Sequence, residues 1–258
     1  MAMQVRDSVV RSTPVREWVG GQGRKLVYLH GFEQHPGGAA FLGKLAEGRQ
    51  VLAPEHPGFG ASGGSEHIDG LIDLVLHYRD YLEGCAQGGQ VDLMGHSLGG
   101  MFAAEIAAIC PDLVGKLVLV DAYGLWLDEH PQPDPFAILP DDFAAAKWAD
   151  PGNWADKEPN SFDGEAEHYI YYRSQNLGAA SKFMWPLPDR GLSGRLERIR
   201  AETLIVHGAH DGFVPLAYAE AFAEGIPNAR TVIISDAGHM PMIEAEAAFL
   251  DAVSDFLD

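Results

Sequence analysis

The sequence predicts a doubly wound α/β fold: a mostly parallel sheet between helix layers, interrupted by one inserted helical segment. Three observations carry that expectation. Short apolar runs alternate with amphipathic stretches along most of the 258 residues. Several of the runs are apolar on both faces, as parallel strands covered by helices on either side must be. The alternation breaks once, between about Tyr123 and Arg195, where prolines and aromatics concentrate.

In chain order, residues 25–30 (KLVYLH), 50–54 (QVLAP), 91–95 (VDLMG), 116–121 (KLVLVD), 203–207 (TLIVH) and 230–234 (RTVII) read as strands. Between them, residues 69–83 place Leu71, Ile72, Val75, Leu76 and Leu82 at helical spacing. Residues 98–110 (LGGMFAAEIAAIC) are small and apolar nearly all round, so they predict a buried helix that stops at Pro111. Residues 244–257 close the chain as an amphipathic helix. Alternating strand and helix is the pattern of a doubly wound sheet. The break at 123–195 holds 8 of the 16 prolines and 12 of the 25 aromatics, and no strand-like run. Short helices punctuated by proline, rich in aromatics, predict a lid over an apolar cleft. Trp126, Phe136, Trp148, Trp154 and Trp185, with Met240 from the core, are the candidate lining residues.

Hydrophobic residues make up 47% of the chain and charged residues 21%, as in a globular enzyme. The balance of 18 Lys+Arg against 37 Asp+Glu gives a net charge of −19. Such a polyanion is repelled by nucleic acids and anionic membrane surfaces, which argues against either as a partner. The expected partner is a small-molecule substrate, and a homodimer is compatible with the sequence. Cys85 and Cys110 are too few for a disulfide framework or a Cys-rich zinc site and are expected as packed thiols. The first twenty residues carry scattered charges and no apolar leader core, and no run approaches a membrane span, so a cytoplasmic location is expected. No His-x₃-His or HExxH spacing points to a metal.

Chemistry concentrates in a few loops. Gly95-His96-Ser97-Leu98-Gly99 follows an apolar strand and opens a small-residue helix. A serine at so sharp a turn crowds the backbone beside it, which calls for glycine two residues before and two after. The turn would lift Ser97 Oγ above the sheet edge at a helix N-terminus, where developing negative charge is favoured. A serine nucleophile needs a base, and the base an orienting acid. Downstream, the strand at 203–207 runs into Asp211 and the strand at 230–234 into His239, both on loops where open α/β sheets gather their functional groups. Asp121, which also ends a strand, is the runner-up acid. His96 is expected to pack beneath the turn and His210 to face solvent. For an oxyanion, the backbone N–H groups of Leu98 and, after Gly31, of Phe32 are the candidate donors.

LHGF (29–32), EHPGFGASG (55–63), MGHSLGG (94–100), HGAHDGFVP (207–215) and AGHMP (237–241) occur in the order and spacing of the α/β-hydrolase superfamily, which the chain resembles over nearly its whole length. The resemblance implies a core of 1–122 and 196–258 with a helical cap at 123–195. It also implies Ser97, Asp211 and His239 as a triad, Phe32 and Leu98 as oxyanion donors, and no cofactor. Serine at 97 argues against the epoxide hydrolase and haloalkane dehalogenase branches, which carry aspartate there. Glu33-Gln34-His35 departs from the usual small or polar residues after the oxyanion loop, and Glu33 is expected to turn to solvent. The expected reaction is hydrolysis of a small to medium, largely apolar ester. Three alternatives stay open: C–C hydrolysis of a dienoic ring-cleavage product, for which Arg173 or Arg190 would hold a carboxylate; a cofactor-free haloperoxidase-like activity; and a small-ligand binding protein with little turnover.

Overall fold

In the computed structural model the backbone is described for residues 1–33, 37–154 and 166–258, and the side chains for 1–33, 37–153 and 171–258. Five strands match runs of both-face apolar residues: β3 (Lys25–Leu29), β4 (Gln50–Pro54), β5 (Val91–His96), β6 (Val114–Val120) and β7 (Glu202–Gly208). They pair in parallel, with β8 (Ala229–Ile234) beside β7. Two strands that the apolar runs do not announce, β1 (Gln4–Val10) and β2 (Thr13–Gly20), form an antiparallel hairpin that extends the sheet beyond β4. β1 has only one neighbour and is exposed along most of its length, so its sequence carries charge where a central strand would carry valine. The full order is β1-β2-β4-β3-β5-β6-β7-β8.

Side-chain parity divides the core in two. Val27, Leu29, Leu93, Leu117, Leu119 and Ile205 face one side, where α2 (Leu71–Ala86), α3 (Leu98–Ile109) and α7 (Ala217–Gly225) supply Tyr78, Phe102 and Phe222. Leu26, Tyr28, Val51, Met94, Val118 and Leu204 face the other, against Phe41 of α1 (Ala40–Leu45) and Phe249 of α9 (Glu246–Leu257). Each such fully buried large side chain stabilises the fold by about 1.5–3 kcal/mol. The short α8 (Pro241–Glu244) precedes α9.

Between β6 and β7 the chain adds no strand among the described residues. It runs through α4 (Pro140–Lys147), α5 (Pro151–Trp154) and the long α6 (Ala166–Met184) before returning to β7. Among the described residues no helix is long and apolar enough to cross a membrane. Cys85 and Cys110 are both free thiols.

Candidate active site

The order of the sheet places the site. β4 lies on one side of β3 and β5 on the other, so the direction of winding reverses at β3. At such a switch point the loops leaving the two strand ends separate and open a crevice. The loop after β3 carries Gly31-Phe32, and the turn after β5 carries Ser97. Asp121, Asp211 and His239 follow β6, β7 and β8 in turn, at the same edge.

Ser97 adopts φ 58°, ψ −120°, between strand β5 and helix α3. A non-glycine residue held there costs on the order of 1–3 kcal/mol, and the surroundings enforce it. Ser97 N–H donates to Val120 O at 2.9 Å, and its own carbonyl accepts from Gly100, Met101 and Tyr123. A Cβ on Gly99 would stand 2.2 Å from the Leu29 carbonyl oxygen, and one on Gly95 would stand 2.1 Å from that of Gly99. Both glycines of the motif are therefore required by close packing of backbone on backbone.

His239 Nε2 lies 2.8 Å from Ser97 Oγ, and His239 Nδ1 lies 2.8 Å from Asp211 Oδ2. Nδ1 faces a carboxylate, so it carries the ring proton and donates; Nε2 accepts from the serine hydroxyl. Asp211 Oδ1 accepts the backbone N–H of Phe213 at 2.8 Å and of Val214 at 3.0 Å. Burial pushes His239 down to about 3, helped by the Lys147 cation, so the ring is neutral and can take a proton. Burial pushes Asp211 up to about 7 against the pull of its backbone donors. Asp121, the runner-up acid, does not reach His239 in this way: its Oδ1 accepts Gly208 N–H at 2.9 Å. Among the described residues, neither Phe32 N–H nor Leu98 N–H has an acceptor. A Cβ on Gly31 would stand 3.3 Å from Ser97 Cβ, which sets the Phe32 loop directly beside the serine. His96 is buried with Nε2 2.7 Å from His239 O, and His210 is exposed, both as expected.

A cavity of about 910 Å³ lies between α4, α6 and the Phe32 loop, lined by Phe136, Phe143, Trp148, Leu177 and Trp185 among others. Phe136, Trp148 and Trp185 were expected there. Trp126 and Met240 do not line it: Trp126 Nε1 donates to Asp128, and Met240 is buried in the core on the α9 side. The side chain of Trp154, and His35, lie outside the described residues. Ser97 itself is 0% exposed. Phe143, on the cavity wall, packs on Phe213 at 4.8 Å between centroids, and Phe213 packs on His239 at 5.3 Å. Two phenylalanine rings in edge contact thus lead from the cavity wall to His239, and neither Phe143 nor Phe213 stands out in a sequence rich in phenylalanine.

Glu33 corrects the expectation that it faces solvent. It is buried, with Oε2 2.5 Å from Lys147 Nζ and Oε1 3.0 Å from Arg173 Nε. Burial would raise its carboxyl, and the two cations outweigh that and hold it below the usual range. The partners lie 114 and 140 residues away in sequence, which is why the sequence shows no sign of them. Arg190 donates to the carbonyls of Lys182, Phe183 and Trp185, so it braces the chain after α6 and does not face the cavity.

A serine on a strained strand–helix turn, in line with a neutral histidine and a carboxylate at one sheet edge, defines a hydrolase class. Residues 26–252 match the Alpha/beta hydrolase family, and the chain belongs to it. It is similar to 2-hydroxymuconate semialdehyde hydrolase of Pseudomonas sp. (strain CF600), with 29% identity over 265 residues that cover 92% of this chain and 88% of that one. Among solved structures, a membrane phospholipase A described as a bacterial virulence factor superposes with a TM-score of 0.80 at 21% identity, covering 100% of this chain and 86% of that one. A serine hydrolase involved in carbazole degradation gives 0.77 at 20%, with 99% of both chains covered. At these identities the structural likeness speaks for the fold.

Proposed function

We propose that the protein is a serine hydrolase that cleaves a small to medium, largely apolar carboxylic ester through an acyl-enzyme, with residues 123–195 acting as its cap. The observation that carries this is the hydrogen-bonded line Ser97–His239–Asp211 beside two N–H groups, of Phe32 and Leu98, that lack acceptors among the described residues. His239 takes the Ser97 hydroxyl proton as the oxygen attacks the ester carbonyl. Asp211 keeps the ring in the productive tautomer and stabilises its cation. The Phe32 and Leu98 N–H groups receive the oxyanion, each worth on the order of 10²–10³ in kcat. His239 then protonates the departing alcohol, and water repeats the sequence on the acyl-enzyme. No step requires a cofactor.

The mostly apolar lining of the cavity favours an apolar substrate, and the two cations that face it, Lys147 and Arg173, both contact the one carboxylate of Glu33. A second reading, C–C hydrolysis of a dienoic acid, draws on the name of the Pseudomonas relative and on the same two cations, which a substrate carboxylate would have to share with Glu33. A panel of p-nitrophenyl esters of graded acyl length, run beside a ring-cleavage dienoate, separates them. We expect the best ester to exceed the dienoate in kcat/KM by about tenfold or more, and Glu33→Gln to narrow that gap by releasing Lys147 and Arg173. A dienoate preferred by the wild type would favour the C–C reading instead.

A further inference from the structure

Behind the histidine stands a second carboxyl group that the reaction above does not use. Asp121 is completely buried and follows β6, whose residues Lys116–Val120 pair with Glu202–Val206 of β7. That register sets Asp121 beside the end of β7, from which the Asp211 loop departs. Its N–H donates to Val206 O at 3.0 Å, and its Oδ1 accepts Gly208 N–H at 2.9 Å. Its Oδ2 is buried and receives no donor among the described residues. What Asp121 meets instead is Asp211: one carboxyl oxygen from each lies within 4.8 Å of the other and of a His239 nitrogen.

Two ionised carboxylates cannot share such a site. Both groups only accept, the medium does not screen their charge, and one oxygen would be left as an unpaired buried anion. A single proton held between them removes the repulsion and gives Oδ2 a partner. Asp211 has three donors, from Phe213 N–H, Val214 N–H and His239 Nδ1, and so is the better carboxylate. Asp121 has one, from Gly208. His207, the group on β7 that faces Asp121, places its Nε2 2.8 Å from Val214 O and its Nδ1 3.4 Å from Asp121 Oδ1, longer than an ordinary N–H···O bond. The other titratable groups around the pair are Tyr123, Glu244, which accepts Gly238 N–H, and, across His239, Lys147 paired with Glu33. Burial pushes the Asp121 carboxyl far up, and the Asp211 charge adds to it against the pull of His207.

Resting on the triad proposed above, we propose that Asp121 stands in this site as a neutral carboxylic acid whose Oδ2–H donates to Asp211, and that it is a positioning residue for the Asp211–His239 pair. Asp211 then receives a fourth hydrogen bond, which fixes its orientation toward His239 and lowers its own affinity for a proton. Asparagine is the isostere of that neutral acid: its carbonyl accepts from Gly208, and its amide donates to Asp211.

The test joins infrared spectroscopy of the intact protein with pH profiles of kcat/KM. A difference spectrum, wild type minus Asp121→Asn at pH 7, is expected to contain the carbonyl stretch of a protonated carboxylic acid; its absence, with carboxylate bands in its place, overturns the proposal. Asp121→Ala is expected to lower kcat/KM by about tenfold and to move the acid limb up by roughly 0.5–1 pH unit, the worth of one lost hydrogen bond. Asp121→Asn should recover most of that loss and return the limb to its wild-type position. A residue that only fills space would change kcat without moving the limb, and an Asn variant as impaired as the Ala variant contradicts the donor role. Where Asp121→Ala does not fold, the spectrum and the Asn variant still decide. Labelling of wild-type Ser97 by a fluorophosphonate checks the triad separately: a protein that is not labelled sinks the catalytic reading, and the infrared band still reports the state of Asp121.

Discussion

At the level of single residues, the site sets a histidine against a carboxyl group, and burial drives the two in opposite directions. His239 is pushed down to about 3 and stays neutral across the working range, whereas Asp211 is pushed up to about 7. The sign follows directly. Asp211 must be ionised to hold the imidazolium, its raised value means that it takes a proton as pH falls through about 7, and activity should fall with it. We therefore expect kcat/KM to drop roughly tenfold per unit on the acid side of neutrality, with an apparent midpoint that belongs to the Asp211–His239 pair as a unit. Asp211→Asn should lose on the order of 10⁴ in kcat with the fold intact; a larger loss from Asp121→Asn would exchange the roles of the two acids. Ser97, Asp211 and His239 are legible in the sequence because each lies in a glycine-containing loop after a strand. Glu33 and Asp121 are not, because what decides their charge is a partner about 90 to 140 residues away.

Among the elements, α4 has a part that its sequence does not announce. Its carbonyls at Ala146 and Lys147 accept the backbone N–H of Gly212, at 2.9 Å, and of His239 itself, at 2.8 Å. The last turn of a helix outside the sheet thus holds the loops of both Asp211 and His239. Gly212 meets α4 closely: a Cβ there would stand 2.7 Å from Ala146 Cα. Gly212→Ala should push α4 and the Asp211 loop apart. Since a displacement of about 1 Å can cost on the order of 10² in rate, we expect kcat to fall ten- to a hundredfold with a much smaller change in thermal midpoint. Equal activity in this variant would show that the α4 contact does not matter to the site. The buried parallel strands and α3 announce themselves by continuous apolar runs, whereas the β1–β2 hairpin does not. β1 is an edge strand, exposed along most of its length, so no apolar period marks it.

On the scale of the whole molecule, the charge of −19 acquires a structural sense. The buried carboxylates Glu17, Glu33, Glu55, Asp92 and Glu105 each hold an arginine or a lysine, and these pairs draw on the 18 cations of the chain. Residues 123–195 carry 12 acidic and 6 basic residues, so the excess is shared between this segment and the sheet domain and does not single out the cavity. The cavity instead is mainly apolar, with Glu33, Lys147 and Arg173 clustered at its edge, and Phe143 and Phe213 lead from its wall to His239. Ser97 is fully buried, so substrate reaches it only when neighbouring groups move, and a small reactive probe should reach it where a bulky one is slowed. The measurement that reaches the catalytic assignment most directly is covalent labelling with a small fluorophosphonate, with the modified residue located by mass spectrometry. The wild type should carry one phosphonyl group, on Ser97, and Ser97→Ala should carry none and lose on the order of 10⁶ in turnover. A wild type that is not labelled, or one labelled at another serine, would contradict the triad.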